Sequence, residues 1–233
     1  MDLLFPPACA YCHHELETGD LGLLCGDCRA QRVDDRPVCA RCGSRASSGA
    51  VSGGCLRCKD DRFYFGGAVR LGSYEGPLRT AVLRMKRETD RGLAIAVGDL
   101  LFGARAADWK ALKPDAVVPI PMHWSRRIWR GFNSPETISE RLARHLNVPL
   151  AGHLLRRSRR TAPQANLPPT RRVANVRGAF RAIAHPDLAG ARLLLVDDIM
   201  TTGATVNEAA KMLSRAGAGF IGIAVVARAE GLA

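Results

Sequence analysis

The 233-residue chain has no cysteine after Cys58, no apolar run of about 18 residues, few aromatics and no lysine between residues 119 and 181. Each absence excludes something. Residues 93–104 carry Asp99 and residues 220–227 are too short to span a bilayer, so no transmembrane helix is expected. The opening MDLLFPPACAYC lacks the basic region and apolar core of a secretory leader, so a cytoplasmic location is expected. The thiol-free remainder argues against a disulfide-stapled secreted domain. The lysine-free window holds 13 arginines and only two acids, Glu136 and Glu140, within a chain of formal charge +12. Such a block is either a solvated arginine-biased face or the mark of an anionic partner: phosphate groups, a nucleic acid or an acidic surface.

The cysteines that are present form four C-x2-C pairs: Cys9/Cys12, Cys25/Cys28, Cys39/Cys42 and Cys55/Cys58. Two thiolates on a tight knuckle converge on one side, and two knuckles complete a tetrahedral zinc site. Consecutive pairing is the simplest arrangement, although spacing alone leaves a crossed one open. With eight thiolates available, His13 and His14 are expected to face solvent. Residues 1–60 hold seven basic and eight acidic residues and few large apolar ones. Hydrophobic burial alone cannot fold such a piece, so two structural zinc ions are expected to supply folding free energy. The reading is a double zinc ribbon over residues 1–60, a joint at KDDRF (59–63), and a second domain over 61–233.

Beyond the joint the pattern is α/β: a mostly parallel twisted sheet with flanking helices. Strands are expected at 67–74, 115–121, 193–196 and 220–227. Gly76-Pro77 opens a helix with Leu78, Val82 and Met85 on one face, and a second helix covers 91–107. Ser134-Pro135 reads as a cap and first turn, Ile138, Leu142 and Leu146 share a face, and Pro149 closes that helix. Val206, Ala209, Ala210 and Leu213 mark the last helix, stopped by Gly217 and Gly219. Residues 156–175, with three prolines and no apolar period, read as a long mobile loop, and loops of that length are usually functional or disordered.

The most informative stretch is LLLVDDIMTTGATV (193–206). An apolar strand runs into two carboxylates and then into a hydroxyl-and-glycine turn that opens a helix. Ligands of open α/β sheets sit beyond the carboxyl ends of the strands. There, Asp197 and Asp198 can accept hydrogen bonds from vicinal hydroxyls. The turn offers free N–H groups, threonine hydroxyls and a helix dipole to a phosphate, and Gly203 admits close approach. The pattern asks for a ribose 5-phosphate.

LLLVDDIMTTGAT resembles the signature of type I phosphoribosyltransferases, which bind phosphoribosyl pyrophosphate (PRPP). The resemblance implies that Asp197 and Asp198 hold the ribose hydroxyls, that Thr201, Thr202, Gly203, Ala204 and Thr205 hold the 5′-phosphate, and that Mg2+ accompanies PRPP. The wider chain resembles the ComF/GntX-like proteins of competence and DNA utilisation. The amino-terminal cysteines carry that likeness, with YEGPLRTAVLRMK (74–86), PIPM (119–122), RGFN (130–133), TAPQ (161–164) and RRVANVRGAF (171–180). RGFNSP stands where RGFNQA is expected, at a helix start that Ser-Pro also serves. The turn after strand 115–121 is expected to face the diphosphate with Met122, His123 and Arg126, while Lys86, Arg130, Gln164 and Arg172 close over it. The resemblance further implies a role in the uptake or use of external DNA, handling single-stranded DNA, with the uptake machinery at the inner membrane as partner. In HWSRRIWRGFN (123–133), Trp124, Trp129 and Phe132 alternate with Arg126, Arg127 and Arg130. That pattern suits base stacking, or else aromatic packing in the core with the arginines on diphosphate. No residue identifies an acceptor or a catalytic group. An active transferase on a nitrogen acceptor and a non-catalytic PRPP-sensing regulator stand as alternatives.

Overall fold

The structure is a computed structural model that describes the chain except residues 1–5, 18–19, 21, 47–54, 57, 126–130, 165–166 and 231–233. Its frame is a four-stranded parallel sheet of β1 (Gly67–Ser73), β2 (Ala116–Pro119), β5 (Arg192–Met200) and β6 (Phe220–Arg228), in the order β1-β6-β5-β2. Parallel strands need both faces covered, which is why these strands read as continuous apolar runs. The alternation is resolved across the sheet. Val69, Leu71, Val117, Leu194, Val196, Ala224 and Val226 enter one buried cluster, and Ala68, Val118, Leu193, Leu195, Ile221, Ile223 and Val225 enter the other.

The first face is covered by α2 (Gly76–Arg84), α3 (Arg91–Ala104), α4 (Ala106–Leu112) and α5 (Ser134–Leu146). The expected single helix over 91–107 is two helices. Arg105 breaks it with φ −125°, ψ 33°. Its guanidinium donates to the carbonyls of Arg70 (2.7 Å), Asp34 (2.6 Å) and Leu71 (2.8 Å), so the chain bends where the side chain is pulled into the interior. α5 is capped at Asn133, one residue before the expected Ser134, and it ends at Asn147 in the left-handed region, ahead of Pro149. Gly98 lets α3 approach α5: a Cβ there would lie 3.0 Å from the Cβ of Arg141. Gly98→Leu is therefore expected to destabilise the fold by about 1–3 kcal/mol through overpacking, read as a lower urea midpoint.

The second face is covered by α7 (Ala204–Arg215) and by a small hood, in which β3 (Leu155–Arg157) pairs antiparallel with β4 (Phe180–Ala182), with α6 (Pro169–Val176) between them. The segment 156–175, read from sequence as a loop, thus contains most of β3 and α6. Three residues of strand are too few to show a period. Pro169 looks like a breaker, but at the first helical position it fixes the needed φ and sacrifices no hydrogen bond.

Two knuckles of like build precede the sheet. In the first, Cys9 N–H donates to His14 O (2.8 Å) and His13 N–H to Cys9 O (2.9 Å); in the second, Cys39 N–H donates to Ser44 O (2.8 Å) and Gly43 N–H to Cys39 O (2.8 Å). His13 (φ 64°) and Gly43 (φ 68°) occupy the same left-handed position. The short helix α1 (Gly26–Ala30) carries Cys28. Both knuckles dock on the α/β body through arginines, the second through Arg228, which donates to Cys42 O (3.2 Å) and Ser44 Oγ (3.3 Å). Tyr11 lies between the guanidiniums of Arg32 (3.4 Å) and Arg84 (4.9 Å). Buried Arg70 pairs with Asp34 (3.4 Å) and with Glu230. Asp34 also binds Arg36 at 2.6 Å, and this hydrogen bond holds its carboxyl well below the usual carboxylate range. Among the described residues no helix is long and apolar enough to cross a membrane.

Candidate functional site

Two thiol clusters are present, Cys9/Cys12/Cys25/Cys28 and Cys39/Cys42/Cys55/Cys58, so the pairing is consecutive. Within each, the sulfurs lie within 4.8 Å of one another. Contacts of 3.7 Å (Cys12–Cys25, Cys42–Cys55), 3.8 Å (Cys55–Cys58) and 3.9 Å (Cys39–Cys58) match the edge of about 3.8 Å for a tetrahedron of 2.3 Å Zn–S bonds. The donor set and its spacing fit structural zinc, and a four-thiolate site leaves no position for catalysis. His13 and His14 are exposed and outside both clusters.

The second site is a cavity of about 600 Å3 at the carboxyl end of β5. β5 runs further than the apolar run suggested, and Asp197 and Asp198 lie within its last residues, paired to β6 through Asp197↔Val225. The chain then turns through Thr201 and Thr202 into Gly203, whose φ of 80° places it in the left-handed region just before α7. Ala204 N–H points at Thr202 Oγ1 (3.4 Å), and Thr205 lies in the first turn of the helix. All seven residues line the cavity, so the two carboxylates and the hydroxyl-rich helix start share one space.

The hood and α2 supply the other walls. Gln164 bridges hood and turn: its Nε2 donates to Arg172 O (3.2 Å) and to Thr205 Oγ1 (3.4 Å), and its Oε1 accepts from Asn175 (3.0 Å). Arg172 and Arg157 line the same wall. Just beyond α2, Lys86 places its Nζ 3.1 Å from Asp198 Oδ2. Burial opposes the charge on Lys86, but Asp198 and, less strongly, Asp197 outweigh it and raise the ammonium pKa. Asp197 is pushed up to about 8, first by burial and then by the charge of Asp198, against the pull of the Asp198 amide, Lys86 and Arg157. Near neutral pH burial and the neighbouring charge therefore favour the protonated form of Asp197. Chemically, this space offers carboxylates for a diol, N–H groups and threonines for a phosphate, and arginines for further anionic oxygens.

Lys86, Gln164 and Arg172 thus lie at the cavity with the acid pair and the turn. Met122 and His123 do not line it; His123 is buried and its Nδ1 lies 2.9 Å from Ser125 Oγ. Arg126, Arg127, Trp129 and Arg130 fall outside the described residues. Of the remaining aromatics in that stretch, Trp124 is exposed but Phe132 is buried in the core beneath α5, so Phe132 offers no face for stacking. Sequence reasoning did not single out Tyr74, Arg79 or Arg157 as lining residues. The first two sit in YEGPLRTAVLRMK, a segment used above as a likeness and not as a wall of the site.

A model described as phosphoribosyl transferase domain matches residues 136–231, and one described as double zinc ribbon domain matches residues 1–59. The first match begins within α5, yet the sheet continues through β1 and β2 ahead of it. The chain is 31% identical to competence protein F of Haemophilus influenzae, over 95% of this chain and 96% of that one. It is 32% identical to the DNA utilization protein YhgH of Escherichia coli, with 93% and 94% covered, and equally so to that of Salmonella typhimurium. A double zinc ribbon, an α/β domain of phosphoribosyltransferase type and likeness along almost the whole chain agree: the chain belongs to the ComF-type family of competence protein F and the DNA utilization proteins.

Proposed function

We propose that this protein binds PRPP with Mg2+ in the β5 cavity and acts in the cytoplasm in the uptake or utilisation of external DNA. The observation that carries the reading is the convergence of Asp197, Asp198 and the 201–205 turn on one cavity walled by Lys86, Arg157, Gln164 and Arg172. In this reading the acid pair accepts the ribose hydroxyls and the turn N–H groups hold the 5′-phosphate. Arg suits the diphosphate because its planar fork binds two oxygens at once. Carboxylate oxygens are donors of the kind Mg2+ takes, and the ion neutralises the diphosphate when bound. The DNA role rests on the names of the relatives and on the arginine-rich 119–181 window.

Calorimetric titration with PRPP and Mg2+ tests the site. Saturable binding that weakens at least about tenfold in Asp197→Asn is expected, the worth of one hydrogen bond to a charged acceptor. Because Asp197 sits near 8 when free, binding to its ionised form should release a proton at pH 7, seen as a heat that varies with the buffer's ionisation enthalpy. No binding in the wild type would end the reading. For DNA, anisotropy with single- and double-stranded oligomers should show affinity that falls steeply as salt rises, and silence at low salt would remove direct contact.

A second reading, phosphoribosyl transfer to a nitrogen acceptor, is favoured by the cavity's extension past the acids to Tyr74, Arg79 and Leu83, room beside an aromatic ring for a planar group. Pyrophosphate release that depends on an added nucleobase or amine would support it.

A further inference from the structure

The second zinc knuckle is built into the floor of the ligand turn. Arg228, buried at the end of β6, donates from Nε to Cys42 O (3.2 Å), from Nη1 to Met200 O (3.2 Å) and from Nη2 to Ser44 Oγ (3.3 Å). Met200 is the last residue of β5 before the turn. One guanidinium therefore ties the carbonyl of a zinc-ligating cysteine to the strand end that launches residues 201–205. A second connection runs through the chain leaving the knuckle. Phe63 packs on the Cys39/Cys42/Cys55/Cys58 cluster, stacks on Phe65 (4.5 Å) and lies 3.8 Å from where a Cβ of Gly203 would stand. Asn207, in the first turn of α7, accepts from Tyr64 N–H (2.7 Å) and donates to Arg62 O (3.2 Å). The first knuckle has no such bond to the turn among the described residues; it docks on α2 and α3.

We infer that the Cys39/Cys42/Cys55/Cys58 knuckle buttresses the ligand turn, with Arg228 and Asn207 as positioning residues that couple metal retention at this knuckle to ligand binding. The inference rests on the PRPP reading of the cavity and adds to it the knuckle's share in shaping that site. Coupling between two sites is reciprocal: whatever the knuckle lends to ligand affinity, the ligand returns to metal retention.

Ribose 5-phosphate is the probe, since it has the diol and the phosphate without the diphosphate. The zinc-loaded full chain is challenged with a zinc-selective chelator, with and without saturating ribose 5-phosphate, while an alkylating reagent marks each freed cysteine for peptide mass spectrometry. Labelling of Cys39, Cys42, Cys55 and Cys58 should slow about fivefold or more with ligand, the lower end of ordinary coupling. Labelling of Cys9, Cys12, Cys25 and Cys28 should not change. Arg228→Lys keeps the charge but cannot reach three acceptors, and Asn207→Ala removes both bonds at the helix start; each should shrink the protection while ligand still binds. If calorimetry finds no ribose 5-phosphate binding, the reading of the cavity fails and this inference with it. If the sugar phosphate binds but both clusters are released as before, the inference alone fails. Equal protection of both clusters also overturns it, because general stabilisation would then explain the result.

Discussion

Stripping zinc from the intact protein should abolish the ribbon fold and expose the apolar face beneath it. Structural zinc sites in small fingers carry apparent binding free energies of about 10–16 kcal/mol, as large as the whole stability of an ordinary domain. Here the metal clusters are not appendages. Cys9, Leu24 and Cys28 are buried in the same cluster as Leu71, Leu78 and Leu93, so unlacing the first knuckle uncovers α2 and α3. It also parts buried Arg32 from the Tyr11 ring and opens that guanidinium to solvent. The expected result is a metal content of two per chain before treatment, then a large fall in thermal midpoint, dye binding to exposed apolar surface and aggregation. A fully demetallated protein with an unchanged melting curve would show that the knuckles contribute little.

The second large effect concerns the acid pair. Asp197→Asn with Asp198→Asn should weaken PRPP binding by about 10^2 to 10^4, since two hydrogen bonds to charged acceptors contribute about 1.5–3 kcal/mol each. Asp197→Asn alone, which leaves Asp198 paired with Lys86, should stabilise the ligand-free fold at pH 8. An aspartate ionises at about 3.9 in an unfolded chain, and Asp197 does so at about 8 when folded. Between those values the folded state binds the extra proton, so this contribution is complete below pH 4 and is lost as pH rises through 8. Denaturation across pH 5–9 should show wild-type stability falling with pH and a flatter profile for the variant. Opposite signs for binding and stability mark residues kept for function at the expense of the fold. A variant that binds normally would remove the acid pair from the ligand site.

Much of this was legible in the residues. The fully buried strands at 193–196 and 220–227 announce a parallel sheet, since no half-exposed strand has so few polar positions. Four evenly spaced cysteine pairs announce the metal clusters, and the consecutive pairing is the one with the shortest loops. The hood was not legible: three-residue strands carry no period, and its arginines, read as part of a loop over the diphosphate, gave no sign of a folded hood. The docking of the knuckles was hidden as well. Arg32, Arg70 and Arg228 are almost completely buried, a fate that a sequence gives no ground to expect of arginine. Arg105 splits a helix by bonding to carbonyls distant in sequence, which no local pattern encodes. Phe132 shows the converse, an aromatic two residues after Arg130 in sequence but buried in the core just ahead of α5.

The strand order has a consequence for biosynthesis. Among the described residues, β1 lies at one edge of the sheet and its neighbour is β6, the last of the described strands. At ribosomal speeds of 5–20 residues per second, about 7–30 s separate the emergence of β1 from that of its partner. Throughout that wait the nascent chain shows an open strand edge, while Arg228, which locks the second knuckle to the body, has yet to be translated. Metal capture can begin early, but sheet closure comes last. Polypeptides stalled or clipped before residue 220 should therefore be insoluble rather than partly folded.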